Sequence, residues 1–172
     1  ITGSFLIDAY EDSSDIDLVS YGSSDLDELR KCFEDYTIPY SGKHALRLFR
    51  RRMIHMEPMD FDLLIKQESR KLQGLTKKSE VHINCQPLRK LEGDIFSNLT
   101  MLEVGNIACI AEILDDTEGV FSPAYYKIKV LDVINSLFSG NKEFTDNLKV
   151  FISYIGSFSN NFRKGDRVYL EG

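Results

Sequence analysis

The sequence predicts an α+β protein in two parts, with helices and strands mixed over residues 1–92 and a β-rich part over residues 93–172. Three observations lead to this prediction. A short apolar run that ends at Gly22 has the pattern of a strand, and the segment after it has apolar residues at helical spacing. Beyond residue 93, apolar β-branched runs alternate with turn residues, as in small β domains. A chain of 172 residues is long enough for both parts.

Composition and charge exclude several classes of protein. The net charge of −6 argues against sequence-independent nucleic-acid binding by the whole surface and leaves only a local basic patch for that role. The three cysteines are odd in number and lie in apolar stretches, so we expect reduced, buried thiols in a cytoplasmic protein. No apolar run is long enough to span a membrane, and we expect no membrane partner.

Two helices are predicted in the segment from residue 23 to residue 56. The first is capped by Ser23 and Ser24 and has an apolar face at helical spacing. That face consists of Leu26, Leu29, Phe33 and Tyr36. The second helix covers residues 43–56, and its predicted apolar stripe consists of Leu46, Phe49, Met53 and Met56.

The second helix also carries a basic stretch over residues 47–52. Its arginines are Arg47, Arg50, Arg51 and Arg52. They form either a solvated face or a surface that contacts phosphate or nucleic acid.

Residues 58–74 fit two interpretations. The alternation in residues 59–65 is typical of a strand, whereas Pro58 suits the first turn of a helix and Gly74 suits the position after its end. We favour the helix, because three further residues keep helical spacing: Leu64, Glu68 and Leu72. The next strand is then residues 80–86.

The β-rich part has the pattern of a small β-barrel or β-sandwich. Its strands are predicted at residues 101–114, 119–131, 148–155 and 167–170. The run from Lys164 to Gly172 resembles the closing strand of an OB-like barrel, a fold that holds single-stranded nucleic acid on aromatic side chains. The side chains available for such a platform are Tyr125, Tyr126, Phe151, Tyr154, Phe158, Phe162 and Arg163. We favour a core role for these aromatic residues.

Asp15 and Asp17 stand two positions apart in a predicted strand over residues 15–19. Side chains at this spacing point to the same face of a strand, roughly 6–7 Å apart along the chain. Carboxylates are the ligands of hard divalent cations such as Mg²⁺, and two such ions about 4 Å apart clamp a transferring phosphoryl group. Leu18 and Val19 follow where a calcium loop would need polar ligands, which indicates a strand.

Gly3 and Ser4 precede this strand. Glycine lets the backbone approach a phosphate closely, the start of a following helix presents free N–H groups, and serine adds a hydroxyl donor. The sequence begins at Ile1 without a methionine, immediately before this motif, so we expect an N-terminal segment to be missing from it.

Gly3-Ser4, a spacer, and Asp15-Ile16-Asp17-Leu18 resemble the signature of the DNA polymerase beta superfamily of nucleotidyltransferases. That signature is Gly-Ser, a spacer of similar length, and Asp-x-Asp between apolar residues. The sequence is similar to small archaeal predicted nucleotidyltransferases, also in the segments ESRKLQG and VFSPAYYKIK. The resemblance implies a nucleotidyltransferase fold, a mixed sheet with helices on one side, over residues 1–92.

The resemblance also implies the roles of individual residues. Gly3 and Ser4 would contact the triphosphate of an NTP, and Asp15 and Asp17 would bind Mg²⁺ in a two-metal site. Arg47 and Arg51 are further candidates for contact with the nucleotide.

A third acid is implied on a neighbouring strand, as a base or a metal ligand. If residues 59–65 form a strand, Asp62 has the expected position. If they form a helix, the third strand is residues 80–86, whose candidates His82 and Asn84 are not acids.

We therefore expect a Mg²⁺-dependent nucleotidyltransferase that moves a nucleotidyl group from an NTP to a hydroxyl acceptor. One alternative is a catalytically impaired domain of the same fold that binds nucleotide or RNA. Another is an antitoxin-like minimal nucleotidyltransferase that modifies a partner protein. A carboxylate on the third strand would favour the enzyme, and Asn or His there would favour the binding protein.

Overall fold

Three α-helices and two four-stranded sheets form the regular structure of the described residues, which confirms the α+β class. The structure is a computed structural model, and it describes residues 1–11, 14–22, 24–54, 59–90, 100, 105–136 and 147–172. The chain divides into two compact units, Ile1–Leu88 and Arg89–Gly172, whereas the sequence placed the change between residues 92 and 93. Within the described ranges, no helix is both long and apolar enough to cross a membrane.

The first unit is built on a mixed sheet with the strand order β1-β4-β3-β2. Its strands are β1 (Ile16–Tyr21), β2 (Thr37–Ile38), β3 (Gln73–Thr76) and β4 (His82–Leu88). Its helices are α1 (Leu26–Tyr36), α2 (Gly42–Met53) and α3 (Phe61–Glu68), and a 3₁₀ turn covers Gly3–Phe5. Strands β1 and β4 are parallel, while β3 is antiparallel to both of its neighbours.

Helix α1 forms close to where the sequence predicts it. Leu26 and Phe33 are buried as expected, and acidic residues occupy the first turn, where the helix dipole favours them. Asp25 takes the N-cap position, so the capping role predicted for Ser24 is wrong, and Ser23 lies outside the described residues. Tyr36 is exposed because it is the last residue of the helix and lies beyond the packed face.

The side of helix α2 that packs on the sheet differs from the predicted one. The prediction was based on the large apolar residues of the helix. Ala45 is buried against Tyr40 and Leu75, and Leu48 packs on the same cluster. Leu46, expected in the apolar stripe, is exposed, and Met56 lies outside the described residues. The buried face of helix α2 is therefore centred on the small residue Ala45 rather than on the predicted large apolar residues.

Residues 61–68 are helical, which confirms the favoured interpretation and makes the strand alternative over residues 59–65 wrong. Helix α3 is capped by Asp60, whose carboxylate accepts a hydrogen bond of 3.0 Å from the backbone N–H of Leu63. Pro58 lies outside the described residues. Gly74 does not end this helix. It lies in β3, where a Cβ atom would come within 2.8 Å of the Thr37 side chain on the neighbouring strand.

The second unit is an antiparallel sheet with the strand order β7-β6-β5-β8. Its strands are β5 (Ile107–Asp115), β6 (Ala124–Ser136), β7 (Val150–Ser153) and β8 (Arg167–Glu171). The start of the first predicted strand, residues 101–104, lies outside the described residues. These strands form an open sheet and no closed barrel within the described ranges.

Aromatic side chains make the core of the second unit. Tyr126 is fully buried, and its hydroxyl lies within hydrogen-bonding distance of the carbonyl groups of Gly119 (3.0 Å) and Phe158 (2.9 Å). Phe162 packs its ring against Tyr126 at 5.3 Å, and Phe151 is part of the same cluster. The expected core role is therefore confirmed for Tyr126 and Phe162, whereas Phe151 is half-buried and Tyr154 is exposed.

Candidate functional site

Two pairs of polar residues face each other across the parallel strands β1 and β4. The register places Asp17 beside Asn84, and their side chains approach to 3.5 Å between Asn84 Nδ2 and Asp17 Oδ1. One pleat earlier, His82 Nδ1 lies 3.7 Å from Asp15 Oδ2. Asp17 and Asn84 are in register, and His82 is two positions before Asn84 in β4, so these three share a face of the sheet; Asp15, directly before β1, approaches His82. Asp15 is exposed and Asp17 is half-buried, so solvent reaches this face at Asp15.

Gly3 lies directly against Asp17. The backbone N–H of Thr2 donates a hydrogen bond of 2.8 Å to the carbonyl of Asp17, which holds the chain before the 3₁₀ turn beside β1. Gly3 has a φ of +69°, in the region that favours glycine, and a Cβ atom on it would lie 2.7 Å from Asp17 Oδ2. Only glycine therefore fits here without moving the Asp17 carboxylate. Ser4 follows in the same turn.

The third acid that the resemblance implies is not supplied by a strand over residues 59–65. Asp62 lies in the first turn of α3, so the condition that made it a candidate, a strand over residues 59–65, is not met. The strand beside β1 is β4, which offers His82 and Asn84 to the aspartates. The described residues contain no group of three or more His, Cys, Asp or Glu side chains arranged to hold a metal ion.

Tyr40 stacks on His82 and closes one side of the site. The two ring centroids are 6.0 Å apart, with 26° between the ring planes. Burial lowers the pKa of His82, the positive charges of Arg51 and Arg52 act in the same direction, and Asp15 opposes them. Burial also raises the pKa of the Tyr40 hydroxyl, which therefore stays protonated.

A buried carboxylate anchors the helices behind the stacked rings. Glu68 is 1% exposed and accepts hydrogen bonds from Arg52 Nη2 (2.9 Å), Lys71 Nζ (2.5 Å) and Gln73 Nε2 (2.7 Å). Burial by itself raises the pKa of Glu68, but the charges and hydrogen bonds of Lys71 and Arg52 outweigh burial and lower it. This cluster ties α2 to the C-terminal end of α3 and to β3.

The arginines of the basic stretch have different positions. Arg51 is exposed and lies close enough to His82 for its charge to affect the histidine pKa. Arg47 is exposed and lies one helical turn earlier. Within the described part of the chain, it forms no hydrogen bond or ion pair with Asp15 or Asp17. Arg52 has its guanidinium on Glu68.

Tyr40 and Glu68 were not predicted as site residues, and Arg52 was predicted only as part of the basic stretch 47–52. One signal in the sequence could have revealed the ion pair. Glu68 falls at helical spacing between Leu64 and Leu72, both of which are buried, and a charged residue on the apolar face of a helix needs a buried partner.

The second unit contains a separate cleft of about 480 Å³, formed between β5, β6, β7 and β8. Aliphatic and aromatic side chains line most of it, including Phe151 and Phe162. Glu171 is its one charged lining residue among those described, and it accepts a hydrogen bond of 2.8 Å from the Tyr169 hydroxyl. This lining has no cation for a phosphate group.

No protein-family model, no curated protein and no solved structure matches the chain.

We expect Glu68→Gln to lower the free energy of unfolding near pH 7 by about 3–5 kcal/mol, because it leaves Arg52 and Lys71 without their carboxylate. The folded-state pKa of Glu68 is lowered, so its contribution is fully present above the ordinary value of 4.5 and is lost progressively as the pH falls below that value towards the folded-state pKa. The difference from the wild type should therefore shrink near pH 3.5.

Urea unfolding followed by circular dichroism at both pH values measures this difference. Glu34→Gln, at an exposed position of α1, is the matched control and should change little at either pH. An equal loss for Glu68→Gln at both pH values would contradict the proposed role of the carboxylate charge.

Proposed function

We propose that residues 1–88 form a nucleotidyltransferase-type domain that binds a nucleoside triphosphate together with a divalent cation. Gly3 and Ser4 would contact the phosphates, and Asp15 and Asp17 would hold the cation. The observation that carries this proposal is the contact between Gly3 and Asp17, where a Cβ atom would lie 2.7 Å from the carboxylate. A glycine backbone pressed against a strand-borne carboxylate lets a phosphate chain and its cation approach the same point.

The residues present fit one hard divalent cation. Asp15 and Asp17 supply carboxylate oxygens from one face of the sheet, and Mg²⁺ is commonly held by one or two carboxylates, with phosphate oxygens and water as its remaining ligands. A bound Mg²⁺ would neutralise the charge of the triphosphate. Among the described residues, the neighbouring strand adds the amide of Asn84 and the imidazole of His82 rather than a third carboxylate.

This replacement favours nucleotide binding over transfer. In the superfamily that the motif resembles, a third acid is the expected base or second metal ligand. Asn84 cannot accept a proton as a carboxylate does, and its Nδ2 donates towards Asp17, which supports a fixed orientation of that carboxylate. We therefore propose a nucleotide-binding domain that lacks the usual transfer chemistry.

Nucleotidyl transfer to a hydroxyl acceptor is the second candidate function. It is favoured by the presence of Gly3, Asp15 and Asp17, which are the motif residues of the transferase superfamily that the sequence resembles. Incubation with α-labelled NTPs, with and without added RNA, separates the two. Label on RNA or on protein would support transfer, and bound but unreacted NTP would support the binding role.

We expect Asp17→Asn to weaken the binding of Mg·ATP by at least about tenfold, because even changes outside the ligand set typically cost 10- to 100-fold in metal affinity. Isothermal titration with each of the four NTPs measures the effect. Asp62→Asn is the matched control, since Asp62 lies in the first turn of α3 and its loss should leave the affinity unchanged. Equal affinities for wild type and Asp17→Asn would refute the proposed site.

We expect Gly3→Ala to lower the affinity for Mg·ATP roughly 5- to 100-fold, because relieving a clash of about 1–3 kcal/mol requires the Asp17 carboxylate to move. Gly42→Ala is the matched control. Gly42 also has a positive φ, +52°, but a Cβ atom there would meet nothing within 4 Å. The same titration on both variants separates backbone strain from the clash, and a similar loss in both would contradict the role of Gly3.

A further inference from the structure

The cluster around Glu68 contains more positive than negative charge. The buried carboxylate of Glu68 forms ion pairs with two cations, Arg52 and Lys71. The Lys71 side chain is only 10% exposed, so water screens little of its charge. The cluster therefore has a net charge of +1 inside the first unit, and an anion bound beside it would restore neutrality.

Two hydrogen-bond donors next to this cluster are buried and lack a partner within the part of the chain that the structure describes. They are the Tyr40 hydroxyl and the Nε of Arg52. Roughly 90% or more of buried polar groups in proteins have a partner, so two orphans in one place point to a missing ligand or water. Tyr40 is 6% exposed, and its hydroxyl is within electrostatic range of the negative charge of Glu68 and of the positive charges of Arg52 and Arg51.

The Arg52 side chain is partly exposed, although its Nε is buried. Its Nη2 is used by Glu68, whereas the side chain as a whole is 34% exposed. A guanidinium held at one nitrogen can present its remaining N–H groups to a phosphate in a fixed fork. Glu68 supplies that fixed orientation, since Lys71 and Gln73 hold the carboxylate in turn.

The cluster lies on the same side of the first unit as the aspartates. Tyr40 stacks on His82, and His82 Nδ1 is 3.7 Å from Asp15 Oδ2. Gln73 is beside Asn84 in the sheet register, and Asn84 is beside Asp17. The positive cluster and the negative pair are thus neighbours on one face of the sheet.

We propose that Arg52, oriented by Glu68, and the Tyr40 hydroxyl form a phosphate-binding subsite beside the Asp15/Asp17 face. The ligand chemistry is a phosphate or pyrophosphate group. It comes either from the nucleotide whose binding is proposed above, on which this inference rests, or from a second phosphate-bearing molecule.

The first test is isothermal titration of the full chain with pyrophosphate in EDTA, which removes any contribution of a cation at the aspartates. We expect Arg52→Gln to bind pyrophosphate about tenfold or more weakly, because a hydrogen bond to a charged group contributes roughly 1.5–3 kcal/mol. Lys66→Gln, an exposed position on α3, removes the same charge and should bind as the wild type does. Equal losses in the two variants, or no loss in Arg52→Gln, would overturn the proposal.

Tyr40→Phe gives a second test that does not depend on the folding of Arg52→Gln. It keeps the ring on His82 and removes only the orphan hydroxyl, so the melting temperature without ligand should stay the same or rise. Pyrophosphate affinity should fall severalfold. A lowered melting temperature with unchanged affinity would mean that the hydroxyl has only a structural role, which would overturn its place in the subsite.

Two further titrations identify the source of the phosphate and separate this proposal from the proposed function. Competition between pyrophosphate and Mg·ATP would assign the subsite to the phosphates of the nucleotide, and simultaneous binding would assign it to a second molecule. If Mg·ATP does not bind but pyrophosphate binding still requires Arg52, the proposed function fails and the subsite stands. If Mg·ATP binding requires Asp17, and neither Mg·ATP nor pyrophosphate binding changes in Arg52→Gln, the subsite is refuted and the proposed function stands.

Discussion

The parallel pairing of β1 with β4 is the constraint on which the proposed site depends. Parallel neighbours cannot be joined by a tight turn, so the chain between them must cross over through helices. Here that crossover contains α1, α2 and α3 as well as β2 and β3. The pairing register then decides which side chains stand beside the aspartates, and it selects His82 for Asp15 and Asn84 for Asp17.

The same crossover explains the buried charge in the first unit. Helices α2 and α3 contact each other next to the sheet, and the pairing of Arg52 with Glu68 lies between them. A carboxylate removed from water needs strong compensation, and three donors provide it. Their combined charge exceeds that of the carboxylate, which leaves a positive region beside the negative pair on β1. Both charges are needed where a cation and a phosphate bind together.

The two units solve the problem of buried polar groups in different ways. In the second unit, the Tyr126 hydroxyl has backbone carbonyl groups as partners, and the aromatic rings around it form an apolar core. In the first unit, the Tyr40 hydroxyl is also buried but has no partner among the described residues. The satisfied tyrosine stabilises its unit, whereas the orphan in the first unit marks a place where a ligand would supply the missing acceptor.

The sequence by itself determined three local elements, because short-range periodicity and turn residues specify them. They are the strand β1, which contains Asp17 and follows Asp15, the helix α1, and the helix in the segment of α3. The sequence also predicted a role for Gly3, but the contact of Gly3 with Asp17 came from the tertiary structure. Only the tertiary structure decided what stands beside the aspartates and which side of α2 faces inward. Strand partners and inner helix faces are chosen by burial between residues far apart in the chain, and one sequence does not display that choice. The sequence alone therefore left Asp62 as a candidate, and only the helical structure of α3 removed the strand on which that candidacy depended. For the same reason, the run of arginines did not indicate which of them pairs with Glu68.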